Sequence, residues 1–170
     1  SNIQITVKDI INQSDTLASF SITVNNVNDV PIIFGTTAGQ AVNDNSNLTP
    51  FSGVTITDLD TANLSVSIAL DNNAKGSLST SSIASNTIAT VQTALRAIVY
   101  TPASNRVAPA STETTTFTVT VSDGAANVVD SVTTVVSTSI NDAPTISGSP
   151  TTSLVEEVVY SFVPTGADND

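Results

Sequence analysis

Apolar and polar residues alternate one for one along much of the chain, which is the pattern of strands with one face on a core and the other in water. The alternation is cleanest at Leu64-Ser-Val66-Ser-Ile68-Ala-Leu70 and at Phe117-Thr-Val119-Thr-Val121-Ser122. The second of these runs leads into Asp123-Gly124, then a further run from Val128 to Ile140, then a stop at Asn141-Asp142-Ala143-Pro144. Run, Asp-Gly turn, run and stop describe an antiparallel hairpin. Proline ends it, because it has no N–H for a ladder and holds the residue before it extended. The same order occurs near the start: Ile3-Gln-Ile5-Thr-Val7-Lys-Asp9, a turn about Asn12 to Asp15, a run from Leu17 to Val27, and Asn28-Asp29-Val30-Pro31. Each Asn-Asp-x-Pro reads as a linker between two all-β units, and the chain as a slice through a tandem array.

Between the linkers the pattern predicts a strand at Ile32-Ile-Phe34, turns at Gly35 and Gly39, and a looser strand from Leu48 to Thr57 that ends in Asp58-Leu-Asp60. The Leu64–Leu70 strand follows, then a turn at Asp71-Asn-Asn73 and a short strand at Gly76-Ser-Leu78. Thr87 to Ala97 breaks the alternation. Ile88, Val91, Ala94, Leu95 and Ile98 fall at helical spacing with Thr87 or Thr90 to cap them, so a short helix is expected, running into a strand at Ile98-Val-Tyr100. Pro102 and Pro109 bracket a loop holding Asn105 and Arg106, the best place for a binding loop. Roughly seven strands and one helical crossover suit a β-sandwich.

This divides the chain into three parts: 1–28, the closing hairpin of a preceding repeat; 29–141, one complete repeat; and 142–170, the opening strands of a following one. In the last part Thr145-Ile146, Leu154-Val155 and Val158 to Val163 are the expected strands, and Asp168-Asn-Asp170 echoes Asp58-Leu-Asp60. Two strands bury too little surface to stand alone. The flanking parts should therefore show half-filled apolar faces: Ile3, Ile5, Val7, Phe20, Ile22 and Val24 in front, Leu154, Val155, Val158, Tyr160 and Phe162 behind. Such faces either pair between copies of the chain, tail on head, or fray.

Composition removes several function classes. Four Lys and Arg stand against fifteen Asp and Glu, for a net charge of −11. Such a surface cannot neutralise phosphates, which argues against nucleic acid and anionic membranes as partners. No apolar run approaches the ~20 residues of a membrane-spanning helix. There is no Cys and no His, hence no disulfide framework, thiolate site or His-based triad. No Gly-x-Ser-x-Gly elbow is present. A carboxylate pair for glycoside hydrolysis would lack the aromatic platforms sugars stack on, since the chain has no Trp, two Tyr and five Phe. The expectation is a protein that is not an enzyme. What an acidic chain with few bases can do is hold cations.

The linkers, the Asp-x-Asp and the hairpin Asp-Gly resemble those of cadherin repeats. More closely, Ala94-Leu-Arg-Ala-Ile-Val-Tyr100-Thr-Pro102, Phe117-Thr-Val-Thr-Val-Ser-Asp-Gly124 and Asn141-Asp-Ala-Pro144 resemble bacterial cadherin-like repeats. Such repeats stand in tandem in very large secreted or surface-attached proteins, many of them adhesins. The resemblance implies an Ig-like, seven-stranded Greek-key β-sandwich with Ca²⁺ at the joints between repeats. It also implies an extracellular or cell-surface location and neighbouring repeats of the same chain as partners. Carried across, the first joint uses Asn28, Asp29, Asp58, Asp60 and Asp123. The second uses Asn141, Asp142, Asp168 and Asp170, with Asp44 in the position of the family's Glu; Asp9 matches the hairpin Asp of the preceding unit. The chemistry agrees, since Ca²⁺ takes about six to eight hard oxygens and Asp-x-Asp sends two carboxylates to one side of an extended chain. The family's mid-repeat acidic segment is missing: nothing acidic lies between Asp71 and Glu113. One weakly held ion per joint, or none in this slice, is therefore expected. The function implied is a calcium-stiffened spacer or adhesion repeat; the alternatives are a Ca²⁺-dependent module that binds polysaccharide or other copies of itself, and a repeat accessory to a secreted enzyme. For any single Asp beside Gly or Pro, the plain reading is a turn residue whose side chain closes its own backbone.

Overall fold

The computed structural model describes residues 2–3, 5–11, 13–16 and 20–170, and side chains at 5–11, 13–16 and 22–170. In chain order the strands are β1 (Asn2–Ile3), β2 (Thr6–Lys8), β3 (Ser14–Thr16), β4 (Phe20–Ser21), β5 (Ile32–Phe34), β6 (Gln40–Asn43), β7 (Thr55–Thr57), β8 (Asn63–Leu70), β9 (Gly76–Leu78) and β10 (Ser82–Thr87). Helix α1 (Ile88–Arg96) follows, then β11 (Tyr100–Pro102), β12 (Thr112–Ser122), β13 (Asn127–Asp130), β14 (Thr134–Thr138), β15 (Thr145–Ser147) and β16 (Thr165–Ala167). Among the described residues the chain is all-β with one α-helix, and no helix is long and apolar enough to cross a membrane.

The long strand β12 organises the main sheet, whose order is β10-β8-β12-β14-β6 with β13 also on β12. All its pairings are antiparallel except β14 with β6, which is parallel. The predicted run from Val128 to Ile140 is broken between Asp130 and Thr134. β13 pairs Val119 with Asp130 whereas β14 pairs Thr116 with Thr134, a one-residue slip across the break. An inserted residue of this kind bends a strand and changes what its edge can reach.

Every described residue that is buried lies between Pro31 and Ser139. Inward residues of β8 and β12 (Leu64, Val66, Ile68, Phe117, Val119, Val121) meet Phe51, Val54, Ile56, Val91, Leu95, Ile98 and Tyr100 from the other side. Phe117 takes Phe51 and Tyr100 edge-on, with ring centroids 5.5 and 5.1 Å away, the geometry aromatic quadrupoles favour. The Tyr100 hydroxyl sits 2.8 Å from Thr115 Oγ1 and donates to the Lys75 carbonyl at 2.9 Å, so a buried polar atom is satisfied. Helix α1 forms as its spacing predicts. Thr87 caps it, accepting from Thr90 N, and Val91 and Leu95 are buried. Arg96 at its end donates to the Val54 carbonyl at 2.7 Å and to Thr55 Oγ1 at 2.9 Å, tying the helix to β7.

Two pairings build the poles. β5 lies antiparallel to β7, matching Ile32 with Thr57, which sets Asp29 to Pro31 beside Asp58 to Asp60. Gly35 permits it: its φ is +75°, and a Cβ there would lie 2.3 Å from the Gly53 carbonyl oxygen. At the other pole β6 runs beside the end of β14, matching Asn43 with Thr138, so Asp44 meets the second linker.

Other expectations are corrected. The Leu48–Thr57 strand is only β7. Leu48 makes a lone bridge to Tyr100, and Thr49 to Val54 turns to bury Phe51. The strand predicted over Ile98–Tyr100 is β11, two residues later. β6 and β10 carry no readable alternation. In the first part the turn spans Asp9 to Gln13, closed by Asp9 N to the Gln13 carbonyl at 3.0 Å, with Asn12 outside the described residues. Among the described residues of the run from Leu17 to Val27, β4 alone is a strand; Leu17 to Ser19 lie outside the described residues, as do the side chains of Ile3 and Phe20. The predicted strands at Leu154–Val155 and Val158–Val163 are not strands: β15 pairs instead with β16. The segment between them exposes Leu154, Val155, Val158 and Tyr160, so no packed face favours extended pairing there.

Candidate functional site

The first joint starts from three short segments brought together by the ladders. Asp58-Leu-Asp60 follows β7, Asp123 follows β12, and the linker Asn26 to Asp29 precedes β5. Asp58 folds its own chain over: Oδ1 accepts Asp60 N at 3.0 Å and Thr61 N at 2.8 Å. Its other oxygen, Oδ2, is buried and has no hydrogen-bond partner. Asp60 Oδ2 accepts the Asn26 amide at 3.1 Å and Asp29 N at 3.2 Å. Asp123 Oδ1 accepts Ala125 N and Ala126 N, both at 2.6 Å, so the carboxylate closes the hairpin loop. Asp123 Oδ2 faces the linker and takes the Asn28 amide at 2.9 Å, while that amide also reaches the Asp29 carbonyl at 2.9 Å. The five residues expected at this joint are linked in one network. In both Asp58 and Asp123 one oxygen closes the residue's own turn and the other is turned away from it.

The charges are unevenly supported. Burial pushes the Asp60 carboxyl up, and the charges of Asp58 and Asp29 beside it push it further, against the lowering effect of the Asp29 N–H. Asp123 is held below the usual range by the Ala126 N–H and then by the Asn28 amide. Crowded like charges around an unpartnered oxygen are what a cation would relieve.

The second joint is built at the opposite pole. Asp142 N donates to both oxygens of Asp170 at 3.0 Å, the counterpart of Asp29 on Asp60. The Asn141 amide reaches the Asp142 carbonyl at 2.8 Å, as Asn28 does at Asp29. Asp168 stands exposed two residues before Asp170. Asp44, expected in the family's Glu position, is 6% exposed and accepts backbone N–H groups on both oxygens: Asn105 at Oδ2 and Ile140 at Oδ1, each 3.1 Å. Burial opposes its charge, but those donors outweigh burial and hold it below the usual range. Asp9, the match to Asp123, closes its own turn in the same way, its Oδ1 accepting Ile11 N at 3.0 Å and Gln13 N at 2.9 Å.

Two residues enter the joints that the motifs do not mark. Asn26 lies two positions before Asn28, so on an extended linker it faces the same side; that spacing is a signal for it. Asn105, singled out in the sequence only as part of the candidate binding loop, donates its amide to Asp142 Oδ2 at 3.0 Å. Among the described residues no group of three or more acidic side chains converges closely enough to cage a metal ion. In both joints Asn amides occupy carboxylate oxygens: Asn26 on Asp60, Asn28 on Asp123 and Asn105 on Asp142. Set against protein-family models, curated proteins and solved structures, the chain matches none of them.

Proposed function

We propose that this chain is a calcium-stiffened spacer or adhesion repeat of an extracellular protein. In this reading residues 29–141 form a cadherin-like Greek-key sandwich between partial neighbours at 1–28 and 142–170. The observation that carries the reading is Asp58 Oδ2. A buried carboxylate oxygen without a donor is costly, and here it lies in a network that also holds Asp29, Asp60 and Asp123. The donor set suits a hard cation: carboxylates, Asn carbonyls and backbone oxygens, with no nitrogen or sulfur ligand among them. Asp58, Asp60, Asp29, Asp123 and Asn28 would hold the ion at the first joint, and Asn141, Asp142, Asp168 and Asp170 at the second. Bound there, the ion supplies positive charge that lets the carboxylates close on the linker. The chain's own groups do the rest: Asp60 and Asp170 grip the N–H of the linker Asp, and Asp123 grips Asn28. The role this reading assigns to the joint is mechanical.

Solution X-ray scattering tests the stiffening. Millimolar Ca²⁺ should lengthen and sharpen the maximum dimension of the chain, and EDTA should reverse it. Identical curves with Ca²⁺ and EDTA would remove the spacer role assigned to the ion.

A further inference from the structure

The second linker is held by groups that need no cation to bring them together. Asp44 follows β6 directly, and its own N–H donates to the Thr138 carbonyl at 2.9 Å. Its two carboxylate oxygens then grip two separate segments, the Asn105 N–H and the Ile140 N–H. The Ser139 hydroxyl is buried and lacks a partner of good geometry; the Asp44 carboxylate is the acceptor beside it. Asp44 thus ties the loop between β11 and β12 to the outgoing linker.

That loop is fixed independently. Asn105 has a φ of 56°, in the left-handed region that Asn enters more readily than most residues. Next to it, Arg106 makes two bonds to Glu113 on β12, at 2.7 and 3.1 Å. Ala110 N closes on the Ser139 carbonyl at 2.9 Å. With its backbone clamped on both sides, Asn105 has one freedom left, its side chain, and that side chain bonds Asp142 Oδ2.

We propose that Asn105 is a positioning residue of the second joint: clamped by Asp44, its amide orients the Asp142 carboxylate and so sets the cation affinity of that joint. The affinity half of this inference rests on the calcium reading; the orienting half does not. The first joint is built differently, because there the carboxylates take their amides from the linker itself, at Asn26 and Asn28. The second joint takes one from the body of the repeat. A movement of the 103–111 loop is therefore felt at the outgoing linker and not at the incoming one. Groups that orient metal ligands typically change metal affinity about 10–100-fold when removed.

Asn105→Gly tests this, since Gly keeps the positive φ and the N–H to Asp44 while deleting the amide. Heteronuclear ¹⁵N relaxation on the full chain in EDTA reads the orienting role. Order at residues 140–142 should fall in the variant while order at 28–30 stays the same; unchanged order at 140–142 overturns the proposal. Following amide shifts in a Ca²⁺ titration, binding reported by Asp142 and Asp170 should weaken about tenfold or more, with that reported by Asp29 and Asp60 unchanged. Unchanged affinity at the second joint, or equal weakening at both, overturns it too. A wild-type chain whose joints show no Ca²⁺ response removes the calcium reading, and the relaxation result then still decides for or against Asn105.

Discussion

Asp44→Asn is the substitution whose cost follows most directly from the geometry. The two side chains have nearly the same shape, so packing is preserved. The carboxylate accepts two backbone N–H groups at 3.1 Å each in a place only 6% exposed. An amide can keep one of these bonds, without the charge, and must set its NH₂ against the other N–H. Hydrogen bonds to a charged group are worth about 1.5–3 kcal/mol, and a buried donor left without a partner costs about 1–3 kcal/mol. Taken together, and allowing for relaxation at the pole, the loss should be about 2–4 kcal/mol. For a cooperative unit near 100 residues that lowers Tm by roughly 10–20 °C. Thermal unfolding followed by circular dichroism in EDTA at neutral pH is the assay, with Asp15→Asn as an exposed control. The acid dependence provides a second check. The folded-state pKa of Asp44 lies below its ordinary 3.8. Its stabilisation is therefore fully present above the unfolded value and is lost as pH falls through the folded one. Wild type and variant should differ at neutral pH and converge in strong acid. A neutral-pH difference below about 2 °C would refute the latch.

Tyr100→Phe keeps the ring contacts and removes the hydroxyl bonds to Thr115 and the Lys75 carbonyl; urea unfolding should show a loss of about 1–2 kcal/mol with the slope unchanged. In a carboxyl ¹³C titration by NMR, Asp60 should titrate above the ordinary value and Asp123 below it, from the directions their surroundings impose. Since the charged form of Asp60 is the one the fold disfavours, its ionisation takes stability away as pH rises through the raised pKa, and Ca²⁺ should pull that pKa down. At 10 mM Ca²⁺, sites with Kd of ~10⁻⁴–10⁻³ M should add about 1–3 kcal/mol each, read as a rise in Tm.

Periodicity shows those elements whose fate is decided locally. Helix α1 is legible because Val91 and Leu95 recur at helical spacing behind a Thr cap, and β8 and β12 because long alternation admits only one buried face. β6 and β10 are not legible. Each brings one apolar residue to the core, Val42 and Ile83, too few for a period, and they are strands because β14 and β8 offer them ladder partners. The opposite error occurs at Val158 to Val163, where an apolar run is no strand because no core meets it. At the first joint the linker and Asp58-Leu-Asp60 lie side by side because β5–β7 pairing forces those two segments together; their selection rests on the family resemblance and not on spacing alone. Asp44 is marked in the sequence for the second joint, but its hold on the loop is not legible there, because a carboxylate's donors are the backbone N–H groups that reach it, and those come from Asn105 and Ile140, both far along the chain.

Calorimetric titration of the 170-residue chain with CaCl₂ is the plainest test for cations at the joints. The expected result is saturable binding with Kd of ~10⁻⁴–10⁻³ M, in which Asp58→Ala with Asp60→Ala deletes the first joint's share and leaves the second. A titration that stays flat through millimolar Ca²⁺ in the wild-type chain would contradict it, and the acidic clusters would then be turns and linker clasps alone.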